Sequence, residues 1–313
     1  AMKYSVYRFH FTAGVHFGNG TLWDSETALP ADTLFSALCQ EAVDQEGPDG
    51  AKTLAEAVEC GSLRLSDLHP FLGEELYLPK PLKPVARERE GDSKVKKSFK
   101  KLHWIPASQF DTYLEGLLDP LAAVERLNQL GSFCVRTMIA TRSPDKLETG
   151  DALPYSVGVY QFAAGNGLYL LAGFDSEVVQ QRVETLLHSL SYSGIGGKRS
   201  AGLGRFTLSV EAVPQGLAHR LMDNGAPAMT LSVAMAPPEQ LEQVLEGAQY
   251  LLQKRSGFVA SPGYAQEPRR KRDFYAFCAG SCFQRRFDGG VFDVGSGGGH
   301  PVYRYAAPLW LEV

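Results

Sequence analysis

Apolar and polar positions alternate from Lys3 to Phe11, where Tyr4, Val6, Phe9 and Phe11 sit among polar neighbours, and a strand is predicted there. Gly14, Gly18 and Gly20 read as a turn. The period then changes: Leu34, Phe35, Leu38, Cys39, Ala42 and Val43 recur at helical spacing. A helix therefore opens at Asp32 or Thr33, with Asp32 read as its cap, and ends at Gly47-Pro48. A second short helix spans Ala51 to Cys60 and stops at Gly61. Asp119-Pro120, a cap followed by a first-position proline, starts a third that ends near Gly131. Strands are predicted at Phe133–Thr141, Ser156–Ala163, Leu168–Phe174 and Arg205–Val213. Before the last of these, Ser176 caps a helix carrying Val179, Val183, Leu186, Leu187 and Leu190. Strand, helix, strands, helix, strand is the order of a ferredoxin-like (RRM-like) sandwich with insertions.

Pro214–Pro227 reads as a linker, after which the pattern starts again. Met229–Met235 is a strand, Pro238–Glu246 a short helix and Gln249–Phe258 another regular element; Pro262–Arg272 is a polar, basic loop. Strands follow at Phe274–Ala279, Phe283–Phe287, Val302–Tyr305 and Leu309–Val313. The expectation is an α+β protein of two ferredoxin-like domains, residues 1–213 and a degenerate second copy at 228–313. A length of 313 residues, 44% of them hydrophobic, suits two domains.

One stretch breaks the pattern. From about Pro79 to Pro106, three early prolines exclude a helix at its start and a charge run follows, so an inserted basic hairpin or finger is expected. The net charge of −4 hides this asymmetry. Ser36–Pro79 holds nine acids and two bases, a net of −7, whereas Lys80–His103 holds nine bases and three acids, a net of +6. The finger mixes Lys96, Lys97, Lys100 and Lys101 with Phe99, His103 and Trp104, the charge-plus-ring combination that holds single-stranded RNA; a solvated charge run explains it equally well. Arg269, Arg270, Lys271 and Arg272 form a second basic cluster, with a solvated loop as the alternative.

The remaining composition mostly excludes. Cys39, Cys60, Cys134, Cys278 and Cys282 are odd in number and lack a CxxC pair, so neither a disulfide framework nor a zinc site is expected. Ala1 precedes Met2 and is set aside as an expression remnant. No apolar run approaches a membrane span and no signal peptide opens the chain, so a cytoplasmic protein is expected.

The densest chemistry lies between the long helix and the strand after it, in Gly194-Ile-Gly-Gly-Lys-Arg-Ser-Ala-Gly-Leu-Gly-Arg-Phe206. Gly194, Gly196, Gly197, Gly202 and Gly204 allow positive dihedrals and close approach, and successive amides in such turns bind anions. Lys198, Arg199 and Arg205 add charge, and Ser200 adds a hydroxyl. A P-loop needs Ser or Thr directly after the lysine, where Arg199 stands. A Rossmann loop leaves a strand and opens a helix, the reverse of this placement. An ordinary helix-to-strand connection remains open.

This loop resembles the signature loop of the RAMP proteins of CRISPR systems. His16-Phe-Gly18 is similar to their early His-x-Gly turn, and Asp32-Thr-Leu-Phe-Ser-Ala-Leu38 to the first-helix motif of one branch. Tyr77-Leu-Pro-Lys-Pro81, Arg255-Ser-Gly257, Gly280-Ser281 and Pro301-Val-Tyr-Arg-Tyr305 resemble the same branch, the fourth Csm subunit of type III-A effectors. The resemblance covers nearly the whole chain. It implies two RRM-like domains, no catalysis, no cofactor and no metal. It implies binding of the 5′ handle of crRNA, contact with the large Cas-ten-type subunit and a neighbouring backbone RAMP subunit, no membrane, and a finger wedged beside the guide–target duplex. The RNA-binding residues it implies are His16, the loop residues Gly194, Gly196, Gly197, Lys198, Arg199, Ser200, Gly202, Gly204 and Arg205, then Arg255, Lys271 and Arg272, with Lys97, Lys100 and Lys101 on the finger. Three to four phosphate contacts give a log–log salt slope of roughly −2 to −3.

Four alternatives stay open. The type III-B sibling also caps the handle. A metal-independent guide-processing ribonuclease uses a histidine, and His10 and His16 lie in the right part of the first domain; such enzymes carry their glycine loop near the C-terminus, unlike this chain. A metal-dependent backbone subunit needs an acid before the first helix, where Asp24 and Glu26 stand. A scaffold without RNA contact is the last.

Overall fold

The computed structural model describes residues 2–85, 93–139, 154–261 and 263–313. β1 (Lys3–Phe11) is the predicted first strand, and it pairs antiparallel with β8 (Asn166–Phe174) on one side and β9 (Phe206–Ala212) on the other. Beyond β8 lie β2 (Leu63–Leu65) and β3 (His69–Leu72), then β4 (Glu75–Pro79) and β5 (Trp104–Pro106), all antiparallel to their neighbours. The chain is thus a mixed α and β protein built on antiparallel sheet. Helices α1 (Ala31–Glu46) and α6 (Glu177–Ser193) make the crossovers from β1 to β2 and from β8 to β9.

Two-residue periodicity assigns the sheet's side chains to two cores. Tyr7, Phe9, Leu168, Leu170 and Ala172 face Leu34, Phe35, Leu38, Val183, Leu186, Leu187 and Leu190 of α1 and α6. Val6, Phe71, Tyr169 and Leu171 face the opposite way, onto Met229, Leu231, Leu309 and Leu311 of the C-terminal part. A sheet covered on both faces explains why β8 is apolar nearly throughout.

The C-terminal part is made of short strands. β10 (Ala228–Thr230) lies between β13 (Cys282–Phe283) and β16 (Trp310–Glu312). β11 (Leu252–Arg255) pairs with β12 (Phe274–Phe277), and β14 (Val291–Asp293) with β15 (Tyr303–Tyr305). One short helix, α8 (Leu241–Leu245), lies where Pro238–Glu246 is expected. Two expectations change. The expected strand at Met229–Met235 stops at Thr230, where Thr230 Oγ1 turns back onto the Ser232 carbonyl at 2.8 Å. The expected linker contains α7 (Gln215–Met222), whose Leu217 and Leu221 are buried. Val233, Ala276, Tyr305 and Ala307 of the C-terminal part belong to the same core as α1 and α6, so the two parts share their interior.

Two segments project from the sheet. In the first, β4 and β5 pair as a hairpin base, from Tyr77↔Pro106 to Pro79↔Trp104. Between them Ser93–Lys101 forms a helix, α3, where only a charged finger is expected. Val95 and Phe99, four residues apart, put its apolar side onto Leu102, Ile105, Phe110 and Tyr113, while the lysines occupy the rest of its surface. Residues 86–92 of the expected finger lie outside the described residues. α2 (Gly50–Glu59), α4 (Phe110–Leu114) and α5 (Pro120–Leu127) flank the sheet, and Asp119 caps α5 as expected by accepting from the Leu121 and Ala122 amides. The second projection is the long hairpin of β6 (Gly131–Ile139) and β7 (Pro154–Phe162), paired over nine positions. Thr141, at the end of the predicted strand, lies outside the described residues.

Candidate nucleic-acid interface

The glycine loop is a folded scaffold before it is a binding surface. It closes on itself through Ile195 N–H to the Gly204 carbonyl at 3.0 Å, and on the β1 turn through Gly204 N–H to the Gly14 carbonyl at 3.0 Å. Gly204 has φ of +79°, and a Cβ there would overlap the Ile195 carbonyl oxygen. Gly196 has φ of +91°, and its Cβ would lie 2.8 Å from the His16 carbonyl oxygen. These glycines serve the loop's own packing as much as any ligand's approach. Ile195 and Leu203 anchor the loop in the interior. Among the described residues, the amides of Gly196, Lys198, Arg199 and Ser200 donate to no backbone carbonyl. Gly196 and Lys198 both have positive φ, on either side of the Gly197 amide that bonds His16.

His16 is 5% exposed. Its Nδ1 lies 2.8 Å from the Gly158 carbonyl oxygen, and its own carbonyl accepts from Gly197 N–H at 2.8 Å. It holds the glycine loop to β7. Lys198 reaches the same hairpin, with Nζ 3.3 Å from the Tyr155 hydroxyl and 4.5 Å from the centre of its ring. Arg199 Nη2 donates to Gln40 Oε1 at 3.3 Å, and Ser200 and Arg205 are exposed.

Beside the loop lies a cleft of about 350 Å³ that gathers residues remote in sequence: Gly196, Gly197 and Arg199 from the loop, Ser36 and Gln40 from α1, and Arg255, Gly257, Lys271 and Arg304 from the C-terminal part. Asp32 forms its floor. Its carboxylate accepts from Arg255 Nε at 2.9 Å and Arg255 Nη2 at 2.8 Å, and is also paired with Arg304. Burial alone would push this carboxyl up, but the two guanidiniums outweigh it and hold it below the ordinary range. The cap expected at Asp32 is therefore not there. Asp67 does that work from outside the helix, accepting from Ala31 N–H at 2.7 Å and Val233 N–H at 3.0 Å through one oxygen, and so links the two parts of the chain. Burial pushes Asp67 up to about 7. Sequence reading missed Asp67 and Arg304 because only the tertiary fold reveals their partners.

A second, larger cleft of about 740 Å³ adjoins the first, and both are lined by Gly18, Thr33 and Arg255. It runs to the base of the first projection, past Lys254, Lys80, Lys100, His103 and Trp104. Together the two clefts make one groove from the glycine loop to α3, with Trp104 and Phe258 on its walls. Arg255 is expected to reach RNA directly, yet its guanidinium is committed to Asp32 and to Thr33 Oγ1 at 3.0 Å. Arg272 donates to the Asp293 carbonyl at 2.5 Å and is not among the groove's lining. Lys97 and Lys101 are exposed and, unlike Lys100, are not among the groove's lining. Sequence reading also missed the β6–β7 hairpin as a surface: Phe133, Val135 and Ile139 leave one of its faces apolar and exposed.

The other candidate chemistry is tied up in local contacts. His10 Nε2 lies 3.0 Å from Ser209 Oγ on the sheet. Asn19 Nδ2 bridges Asp24 at 2.7 Å and Glu26 at 3.4 Å. Among the described residues no group of three metal-ligating side chains occurs, and no helix is long and apolar enough to cross a membrane.

Residues 223–313 match a family model described as the CRISPR Csm4 C-terminal domain. The whole chain is 42% identical, over 313 residues, to the CRISPR system Cms protein Csm4 of Mycobacterium tuberculosis, 98% of which is covered. It is 33% identical to the protein of that name from Streptococcus thermophilus over 321 residues, covering 100% of this chain and 99% of the relative. A chain of the Csm3–Csm4 subcomplex of a type III-A CRISPR-Cas interference complex shares the fold with a TM-score of 0.67 at 17% identity, each chain covered to 99%. A chain of a Csm1–Csm4 cassette in complex with cA4 gives 0.61 at 17% identity, covering 100% of this chain and 98% of that one.

Proposed function

This chain belongs to the Csm4 family of CRISPR proteins, and from that premise we propose that it is a non-catalytic RNA-binding subunit of a type III effector complex, type III-A in kind. In this reading it grips the repeat-derived 5′ handle of the crRNA and joins the large Cas-ten-type subunit to the neighbouring backbone RAMP subunit. The observation that carries the reading is the groove in which the spare amides of the glycine loop, Arg199 and Lys271 meet Lys100, His103 and Trp104. Charged donors for phosphates alternate there with rings for bases, which is how single strands are held. The solved structures of the same fold are named as assemblies with Csm3 and with Csm1, which supports the two protein partners.

The strand order β9-β1-β8-β2/β3, with α1 and α6 as crossovers, supports a ferredoxin-like first domain. In the C-terminal part the first strand, β10, is central and flanked by the last, β16, as a degenerate unit of the same class requires. The wedge beside the guide–target duplex fits the β6–β7 hairpin better than the 79–106 segment, because Phe133, Val135 and Ile139 offer apolar surface to a base.

The test is to purify the chain with its co-purifying nucleic acid and titrate it with a 5′-handle RNA, following binding and integrity together. Binding without cleavage is expected. Metal-independent cutting lost on His16→Ala would replace this reading with a processing nuclease, and metal-dependent cutting lost on Asp24→Ala with a backbone subunit.

A further inference from the structure

The cleft beside the glycine loop has a charge imbalance that its own residues do not resolve. Arg255 and Arg304 pair there with one carboxylate, Asp32, and a third cation, Lys271, lines the same cleft. Arg304 is 6% exposed, and its Nε is buried without a hydrogen-bond partner. Among the described residues Lys271 has no ion-pair partner. Burial, and then the Arg304 charge, pull the Lys271 ammonium below its ordinary range. Other titratable groups near the cluster are Asp67, which is occupied by the Ala31 and Val233 amides, and the Cys39 and Cys278 thiols, which burial pushes up to about 12 and about 11. Desolvated cations without counter-charge are costly and persist where an anion completes them. The opening above them is lined by Ser36, Gln40, Arg199 and the spare Gly196 amide, which are donors of the kind a tetrahedral oxyanion takes.

We propose that this cleft is a seat for one phosphate group, held by Lys271 with Arg304 from the C-terminal part and by Arg199 from the glycine loop, with Asp32 as the positioning residue that aligns the arginines. The proposal rests on the RNA-binding reading for the source of that phosphate, a backbone phosphodiester of the bound strand. A free phosphate or mononucleotide offers the same chemistry. Because its ligands come from both parts of the chain, the seat exists only when the two are docked, so phosphate binding stabilises the docked form.

The experiment uses the full-length chain as wild type, Lys271→Met and Lys271→Arg, with three readouts. Titration with a short single-stranded RNA across a salt series should show Lys271→Met weakened about tenfold and its log–log slope flattened by about 0.7, one phosphate contact; Lys271→Arg should keep most of both. Inorganic phosphate, and separately AMP, should raise the melting temperature of wild type but not of Lys271→Met. Without phosphate, Lys271→Met should melt no lower than wild type, since an uncompensated cation has been removed. A merely structural lysine would give the opposite, a lower melting temperature with the phosphate response intact, and would overturn the seat. Lys271→Met silent on RNA affinity and slope, with binding still dependent on Arg199, also overturns it and leaves the RNA reading standing. No RNA binding by wild type, with phosphate protection still dependent on Lys271, supports the seat and removes the RNA reading.

Discussion

Two basic regions border the same groove and hold their charge in different ways. On α3, five lysines fall within nine residues, and only Ser98 and Phe99 of that helix are buried. In the cleft beside the glycine loop, the cations come from segments far apart in sequence, and they are half-buried or buried around Asp32. Exposed charges interact through water and are screened over about 8 to 10 Å at moderate salt. A desolvated charge acts in a medium of lower effective dielectric, where a single fixed contact is worth more. Charge density along the chain therefore marks only the exposed region. On the proposed reading α3 offers long-range attraction, and the cleft offers a fixed phosphate position.

The sharpest way to break this comparison is to damage the scaffold and leave every charge in place. Gly204→Ala introduces a Cβ onto the Ile195 carbonyl at a backbone φ of +79°, where neither side can retreat without opening the loop. The expected cost is about 2 kcal/mol or more in urea unfolding. RNA affinity should fall more than tenfold although no cation has changed. If affinity held, charge alone would suffice and the fixed geometry of the cleft would be irrelevant.

A smaller effect separates two neighbours in the loop. Arg199 lines the cleft, whereas Lys198 is turned to the Tyr155 ring at the base of the β6–β7 hairpin. Arg199→Ala should weaken RNA binding several-fold and flatten the salt slope by about 0.7. Lys198→Ala should change the slope less and instead loosen the hairpin, which faster amide exchange in β6 and β7 would report. Equal slope changes for the two would mean that both face phosphate.

How far the sequence led follows from the same contrast. Periodicity located β1, α1, β8, α6 and β9, because a sheet covered on both faces and two amphipathic helices leave strong local signals. It failed at α3, where Pro79, Pro81 and Pro84 precede the helix and only Val95 and Phe99 mark its buried side. After Thr230 it still placed β11, β12, β15 and β16, but it overran β10 and missed β14, because two- to four-residue strands are too short to show a period. The glycine loop was legible as a turn between helix and strand, but its engagement by His16 was not, because Gly158 and Gly197, which hold His16, lie far along the chain. Asp32 read as a cap because a carboxylate at a helix start usually is one. Arg255 and Arg304, which claim it, lie more than two hundred residues away.

The smallest expected effect bears on α3 itself. Lys97, Lys100 and Lys101 are all exposed, and of the three only Lys100 lines the groove. Changing all three to Gln removes three charges from one helix face and leaves the buried Phe99 anchor in place. If each lysine held a phosphate, the salt slope would flatten by about 2; if Lys100 alone does, the change is about 0.7. We expect the smaller value, with an affinity loss of about threefold at ~100 mM salt that closes as salt rises and the remaining attraction is screened. The melting temperature should stay within about 2 °C of wild type, since exposed charges contribute little to stability. A slope change near 2 would invert the comparison, making α3 the principal grip and the buried cleft an accessory to it.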